Sequence, residues 1–148
     1  MIMATREIEI LLVEDDKSDA EMTIRALHKN KLANNITHVA NGALALDFLF
    51  ARGNYAGRDI DDQPKLILLD IKMPKVSGIE VLKILKDDEA TKKIPVVMLT
   101  SSKEDPDIEA CYRLGVNGYI VKPVEFEDFM KTVTELGVYW MIYNEPPK

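Results

Sequence analysis

Residues 65–74 read Lys-Leu-Ile-Leu-Leu-Asp-Ile-Lys-Met-Pro, so four branched apolar residues in a row, Leu66 to Leu69, stop on the carboxylate of Asp70 and then turn. A run without polar alternation suits a strand covered on both faces, as in a parallel sheet held between helices. This constrains the rest of the chain, because parallel neighbours cannot be joined by hairpins and need long crossovers, usually helical. In open sheets of this kind ligands collect outside the carboxyl ends of the strands, and Asp70 lies on that edge.

Four other segments supply the remaining strands. Glu7 to Val13 ends in Ile10-Leu11-Leu12-Val13 and runs straight into Glu14-Asp15-Asp16; Asn35 to Val39 is a second strand. Pro95 to Leu99 precedes Thr100-Ser101-Ser102, and Gly118 to Val121 precedes Lys122-Pro123. Helical spacing fills the gaps. Ala20, Ile24 and Leu27 repeat up to Asn30 behind an Asp16 or Ser18 cap, and Asn41-Gly42 opens an apolar helix from Ala43 to Phe50. After a turn at Met73-Pro74 and Gly78, Ile79, Leu82 and Leu85 mark a third helix through Asp87. Asp105-Pro106 starts a short fourth helix whose single face is Ile108, Cys111 and Tyr112, with Gly115 as its left-handed cap. Phe126, Phe129, Met130, Val133 and Trp140 line a fifth, in which Gly137 should cost roughly 1 kcal/mol relative to alanine. Residues 52–63 carry Gly53, Gly57 and several charges without periodicity, and read as an exposed connection.

Five strands alternating with five helices make a doubly wound α/β domain with a parallel five-stranded sheet. Pattern alone leaves strand order open; the flavodoxin-like order 2-1-3-4-5 puts strand one beside strand three, so that both acidic strand ends become neighbours. The length of 148 residues suits one domain, residues 1–148, with 137–148 as an extension of its last helix. A net charge of -6 disfavours nucleic acid and anionic membranes as partners and points to proteins or small molecules. One cysteine excludes an internal disulfide, and no apolar run approaches the roughly 18 residues that span a bilayer. Met1 to Arg6 lacks the apolar core of a signal peptide, so a cytoplasmic location is expected.

If all strands run parallel, Glu14, Asp15, Asp70, Thr100 and Lys122 emerge on one edge of the sheet. Three neighbouring carboxylates raise one another's pKa unless a cation intervenes. An all-oxygen set with no histidine or cysteine at these strand ends suits Mg²⁺ rather than zinc. An anion approaching Asp70 would meet the metal, the Lys122 ammonium and the Thr100 hydroxyl around a carboxylate able to act as nucleophile. Those are the requirements of phosphoryl transfer, with an aspartyl phosphate on Asp70 as product.

The ordered set Glu14-Asp15, Asp70 with Met73-Pro74 and Gly78, Thr100, and Lys122-Pro123 resembles the receiver domain of bacterial two-component response regulators over residues 7–136. The resemblance implies that Asp70 takes a phosphoryl group from the phosphohistidine of a sensor histidine kinase or a phosphotransfer protein. It implies that Asp15, Asp70 and the backbone carbonyl of Lys72 hold Mg²⁺ while Glu14 acts through water, and that Thr100 and Lys122 contact the phosphoryl oxygens. Tyr119 is the implied switch, its ring rotating inward as the Thr100 hydroxyl moves. Lys72 and Ser102, each two positions past Asp70 and Thr100, should flank the water that hydrolyses the phosphoryl group. The long connection at 52–63 and the aromatic stretch Tyr139-Trp140-Met141-Ile142-Tyr143 resemble the stand-alone regulators that serve bacterial phytochromes, for which no DNA-binding output domain is expected and signalling runs through another protein. A homodimer through helices four and five and strand five is expected too.

Two other functions fit less well. Phosphohydrolases that form an aspartyl phosphate usually place a second acid two residues after the nucleophile, where this chain has Lys72, so an enzyme acting on external substrates is not expected. A nucleotide or flavin module would need a glycine-rich loop after the first strand, where acids stand instead.

Overall fold

The computed structural model describes residues 10–29 and 35–137. Five strands, β1 (Ile10–Val13), β2 (Ile36–Val39), β3 (Leu66–Asp70), β4 (Val96–Thr100) and β5 (Gly118–Val121), alternate with five α-helices. The helices are α1 (Lys17–Lys29), α2 (Gly42–Leu49), α3 (Gly78–Lys86), α4 (Asp107–Arg113) and α5 (Phe126–Leu136). All pairings are parallel and the order is β2-β1-β3-β4-β5, the flavodoxin-like order. Register aligns the strand ends: Val13 pairs Leu69, Asp70 pairs Leu99 and Thr100 pairs Val121.

Alternate residues of the buried central strands feed two cores. Ile10, Leu12, Leu66, Leu68, Val97 and Leu99 pack with Ala20 and Leu27 of α1 and Phe129 and Val133 of α5. Leu11, Val13, Ile67, Leu69, Val96 and Met98 pack under α2, α3 and α4. This two-sided burial is why β1, β3 and β4 read as unbroken apolar runs. Asp70 keeps the parity of Leu66 and Leu68 and so emerges on the face covered by α1 and α5.

Local signals fix the helix starts. The Asp16 side chain accepts from the amide of Asp19 at 2.9 Å, and Asn41 accepts from Leu44 at 2.8 Å. Ser77 and Glu80 form a reciprocal capping box at α3, at 3.2 and 3.1 Å. Gly78 is obligatory for a different reason: a Cβ there would lie 2.2 Å from the carbonyl oxygen of Asp70, and its amide donates to the Ile71 carbonyl at 2.8 Å. The first turn of α3 is thus pressed onto the backbone that carries the acid.

Two expectations need correction, and a third is refined. Residues 52–63 form the largely exposed connection expected, but they are pinned at several points. They hold a 3-10 turn, Gly53–Tyr55, whose Tyr55 ring meets Phe48 edge-on at 5.1 Å. The Arg58 guanidinium lies 3.8 Å above the Phe48 ring and donates to the carbonyls of Phe48 and Asp62. On α4, Ile108 and Cys111 are buried but Tyr112 is 48% exposed, turned toward Tyr119 on β5. Gly137 does not weaken a helix interior: it ends α5 as a left-handed C-cap with φ 76°, the conformation glycine adopts without strain. Trp140 and the aromatic stretch around it lie outside the described residues, as does the start of the first strand.

Candidate functional site

Glu14 and Asp15 follow β1, Asp70 ends β3, Thr100 ends β4 and Lys122 follows β5. Glu14, Asp70 and Thr100 are buried, whereas Asp15 is exposed. Carboxylate oxygens of Glu14, Asp15 and Asp70 all lie within 4.8 Å of one another. Glu14 is fixed from two sides: its side chain accepts from the amide of Asp16 at 3.2 Å, and its backbone carbonyl lies 2.8 Å from Nε2 of His38 on edge strand β2.

The Lys122 ammonium reaches across this cluster, 3.2 Å from Glu14, 3.1 Å from Asp19 and 3.4 Å from Asp70. Burial alone would lower its pKa, but the hydrogen bond to Asp19 and the fields of Asp70 and Glu14 outweigh that, and the net shift is upward. Asp70 moves the other way from an ordinary carboxylate. Burial first and the charge of Glu14 second push it from 3.8 up to about 7, against the pull of a Lys122 that is shared among three acids. A carboxyl so poised keeps its proton to higher pH than an ordinary carboxylate, and a further positive charge favours its ionised form. The three carboxylates therefore suit a hard divalent cation, and all of their donor atoms are oxygen.

Opposite Asp70, a cavity of about 60 Å³ is lined by Lys72, Thr100, Ser101, Asp105 and Lys122 together with Asp70 itself. Thr100 Oγ1 lies 3.1 Å from the Ser102 carbonyl and 3.3 Å from the Asp105 carboxylate, and it accepts from the Ser102 amide at 3.3 Å. Lys72 is exposed, with its ammonium 3.7 Å from Asp105. Tyr119 is half-buried on β5, its ring edge-on to Tyr112 at 6.3 Å.

All five residues expected at the strand ends thus converge, and Lys72 flanks them. Sequence reasoning missed Asp19 and Asp105. Asp19 sits one helical turn past the β1 acids, at the start of α1, so its nearness to them was legible. The N-cap of α4 is Pro106, one residue later than the Asp105 expected; Asp105 accepts from the Asp107 amide at 2.9 Å, and its other oxygen turns into the site. No local pattern announces that.

The response regulator receiver domain model matches residues 10–134. The chain is 40% identical over 138 residues to the Probable methanogenesis regulatory protein FilR2 of Methanothrix harundinacea, covering 93% of this chain and 86% of that protein. Among solved structures, the bacteriophytochrome response regulator RtBRR has a TM-score of 0.84 at 49% identity, covering 95% of this chain and 84% of that one. The Mn²⁺-bound form of response regulator Rcp1, from Synechocystis sp., has a TM-score of 0.73 at 35% identity, covering 95% and 99%. With the same five-stranded order and its acids, hydroxyl and lysine at the strand ends, this chain belongs to the response regulator receiver family of two-component signalling.

Proposed function

We propose that Asp70 accepts a phosphoryl group from the phosphohistidine of a sensor histidine kinase of the phytochrome class, or of a phosphotransfer protein, in a Mg²⁺-dependent reaction in the cytoplasm. The observation that carries this reading is the buried Asp70 carboxylate, held against Lys122 with Glu14 and Asp15 in coordinating reach. An Asp70 oxygen bonds to phosphorus as the P–N bond to the donor imidazole breaks. The bond pair passes to the ring nitrogen, which takes a proton from solvent. Lys122 and the Thr100 hydroxyl meet the phosphoryl oxygens.

Asp15, Asp70 and the Lys72 carbonyl are the residues that would hold the ion, with Glu14 acting through water. When bound, the ion supplies positive charge that relieves the carboxylate repulsion and offsets charge on the incoming group. The Mn²⁺ named for the Rcp1 structure supports a divalent site of this kind. Turnover is limited to self-phosphorylation and hydrolysis. Output runs through a partner protein, with Tyr119 as the switch. A homodimer through α4, β5 and α5 belongs to the same reading, supported by a groove of about 420 Å³ beside Tyr112, Tyr119 and Leu136. Sedimentation at micromolar concentration that shows only monomer, phosphorylated or not, would remove the dimer.

Transfer is tested with a radiolabelled phosphohistidine domain of a phytochrome-class kinase. Label should leave the kinase for the wild type in Mg²⁺, and should stay on the kinase with Asp70→Asn or EDTA. Label retained on the kinase in every case, or passed equally to Asp70→Asn, overturns the proposal.

A further inference from the structure

The Thr100 hydroxyl has one proton and two claimants. The Ser102 carbonyl at 3.1 Å and the Asp105 carboxylate at 3.3 Å can only accept, and the Ser102 amide already occupies a hydroxyl lone pair at 3.3 Å. Of the two acceptors the carboxylate is charged and almost wholly buried, with its side chain 4% exposed, so its claim is the stronger. The same carboxylate pairs with the Lys72 ammonium at 3.7 Å, a contact weakened by the 68% exposure of the Lys72 side chain. Asp105 lines the cavity that faces Asp70.

We propose that Asp105 is a latch on Thr100: its buried carboxylate claims the Thr100 hydroxyl and the Lys72 ammonium in the resting protein and must give up both before either meets a phosphoryl group on Asp70. This rests on Asp70 being the acceptor. Releasing the hydroxyl strips a buried carboxylate of a donor, which costs free energy, so Asp105 opposes the phosphorylated arrangement and sets how far the switch moves. It is a positioning residue, acting on the phosphoryl group through Thr100.

The probe is beryllofluoride with Mg²⁺, a mimic of the phosphoryl group, its affinity read by ¹⁹F NMR. Asp105→Asn keeps an oxygen for the Asp107 amide and loses the charged acceptor. It should bind beryllofluoride roughly five- to tenfold more tightly than the wild type. Removing a negative charge near an anion would also tighten binding, and the two causes separate in a Thr100→Ala background. There the gain should fall to about threefold or less, because the hydroxyl through which Asp105 acts is gone. An equal gain in both backgrounds overturns the latch, as does unchanged or weaker binding by a folded Asp105→Asn protein. A wild type that binds no beryllofluoride overturns the acceptor reading and the latch with it, whereas wild-type binding without the Asp105→Asn gain overturns the latch alone. Urea unfolding of the four proteins adds a readout that needs no ligand: non-additive stabilities are expected, and strict additivity refutes the hydroxyl contact.

Discussion

Replacing Asp70 with asparagine should stabilise the metal-free protein, although it removes the proposed phosphoryl acceptor. In the folded chain the carboxyl rises from 3.8 to about 7 because burial and Glu14 oppose its charge. The folded form therefore holds a proton that the unfolded form has already lost, and stability falls as pH rises from about 3.8 to about 7, then levels off. Across that window the shift corresponds to about 4 kcal/mol. Asparagine deletes this cost but gives Lys122 a weaker partner, so a net gain of about 2–4 kcal/mol is expected at pH 8 in EDTA. For a chain of this size that raises Tm by about 6–12 °C. At pH 4.5 the gap should shrink to about 1 kcal/mol, since the wild-type carboxyl is then protonated in the fold and the pH lies less than one unit above the 3.8 of the unfolded chain, where ionisation gains little. Mg²⁺ should narrow the pH 8 gap from the other side, by about 2.7 kcal/mol at a hundred times its Kd. Thermal and urea unfolding at the two pH values, with EDTA and with Mg²⁺, measure all of this. An Asp70→Asn protein no more stable than the wild type at pH 8, or a gap equal at both pH values, would show that burial and Glu14 do not oppose the Asp70 charge.

Lys122→Ala leaves Glu14, Asp19 and Asp70 facing one another and should cost about 3 kcal/mol in urea unfolding at neutral pH. Because the Lys122 pKa is raised above 10.5 in the fold, its contribution is complete at neutral pH and fades only above that value. Gly78→Ala forces a methyl to 2.2 Å from the Asp70 carbonyl oxygen. It should lower stability by about 2–3 kcal/mol in thermal unfolding, the α3 turn having to lift from the strand end, and should weaken Mg²⁺ binding by calorimetry. Lys72→Ala should change the autodephosphorylation rate, followed by intact mass, more than it changes Mg²⁺ affinity, because only its backbone is expected at the metal. A large loss of metal binding at an unchanged rate would count against that.

How much the chain discloses depends on how local each cause is. The buried runs of β1, β3 and β4 are legible because two covered faces leave no polar alternation, and parallel strands then bring their ends together wherever the loops run. Asp70, Glu14 and Thr100 follow from that alone. Arg58 is different: five charged residues fall within 52–63, and only the tertiary path reveals that this one stacks on Phe48. Tyr112 has the spacing of an inward residue, but α4 is a single short element between a loop and β5, and Ile108 and Cys111 already fill the space beneath it. Asp105 looks like an ordinary cap before a proline, and one of its oxygens does accept from the Asp107 amide; a carboxylate has two oxygens, and the second reaches Thr100 across the loop that follows β4.

Everything proposed for this chain rests on Asp70 as the acceptor and on a divalent ion in its reaction. Intact mass after incubation with phosphoramidate and Mg²⁺ tests both at once. The wild type should gain one phosphoryl group, and neither Asp70→Asn nor the wild type in EDTA should gain any. No gain by the wild type, or an equal gain by Asp70→Asn, would contradict the account.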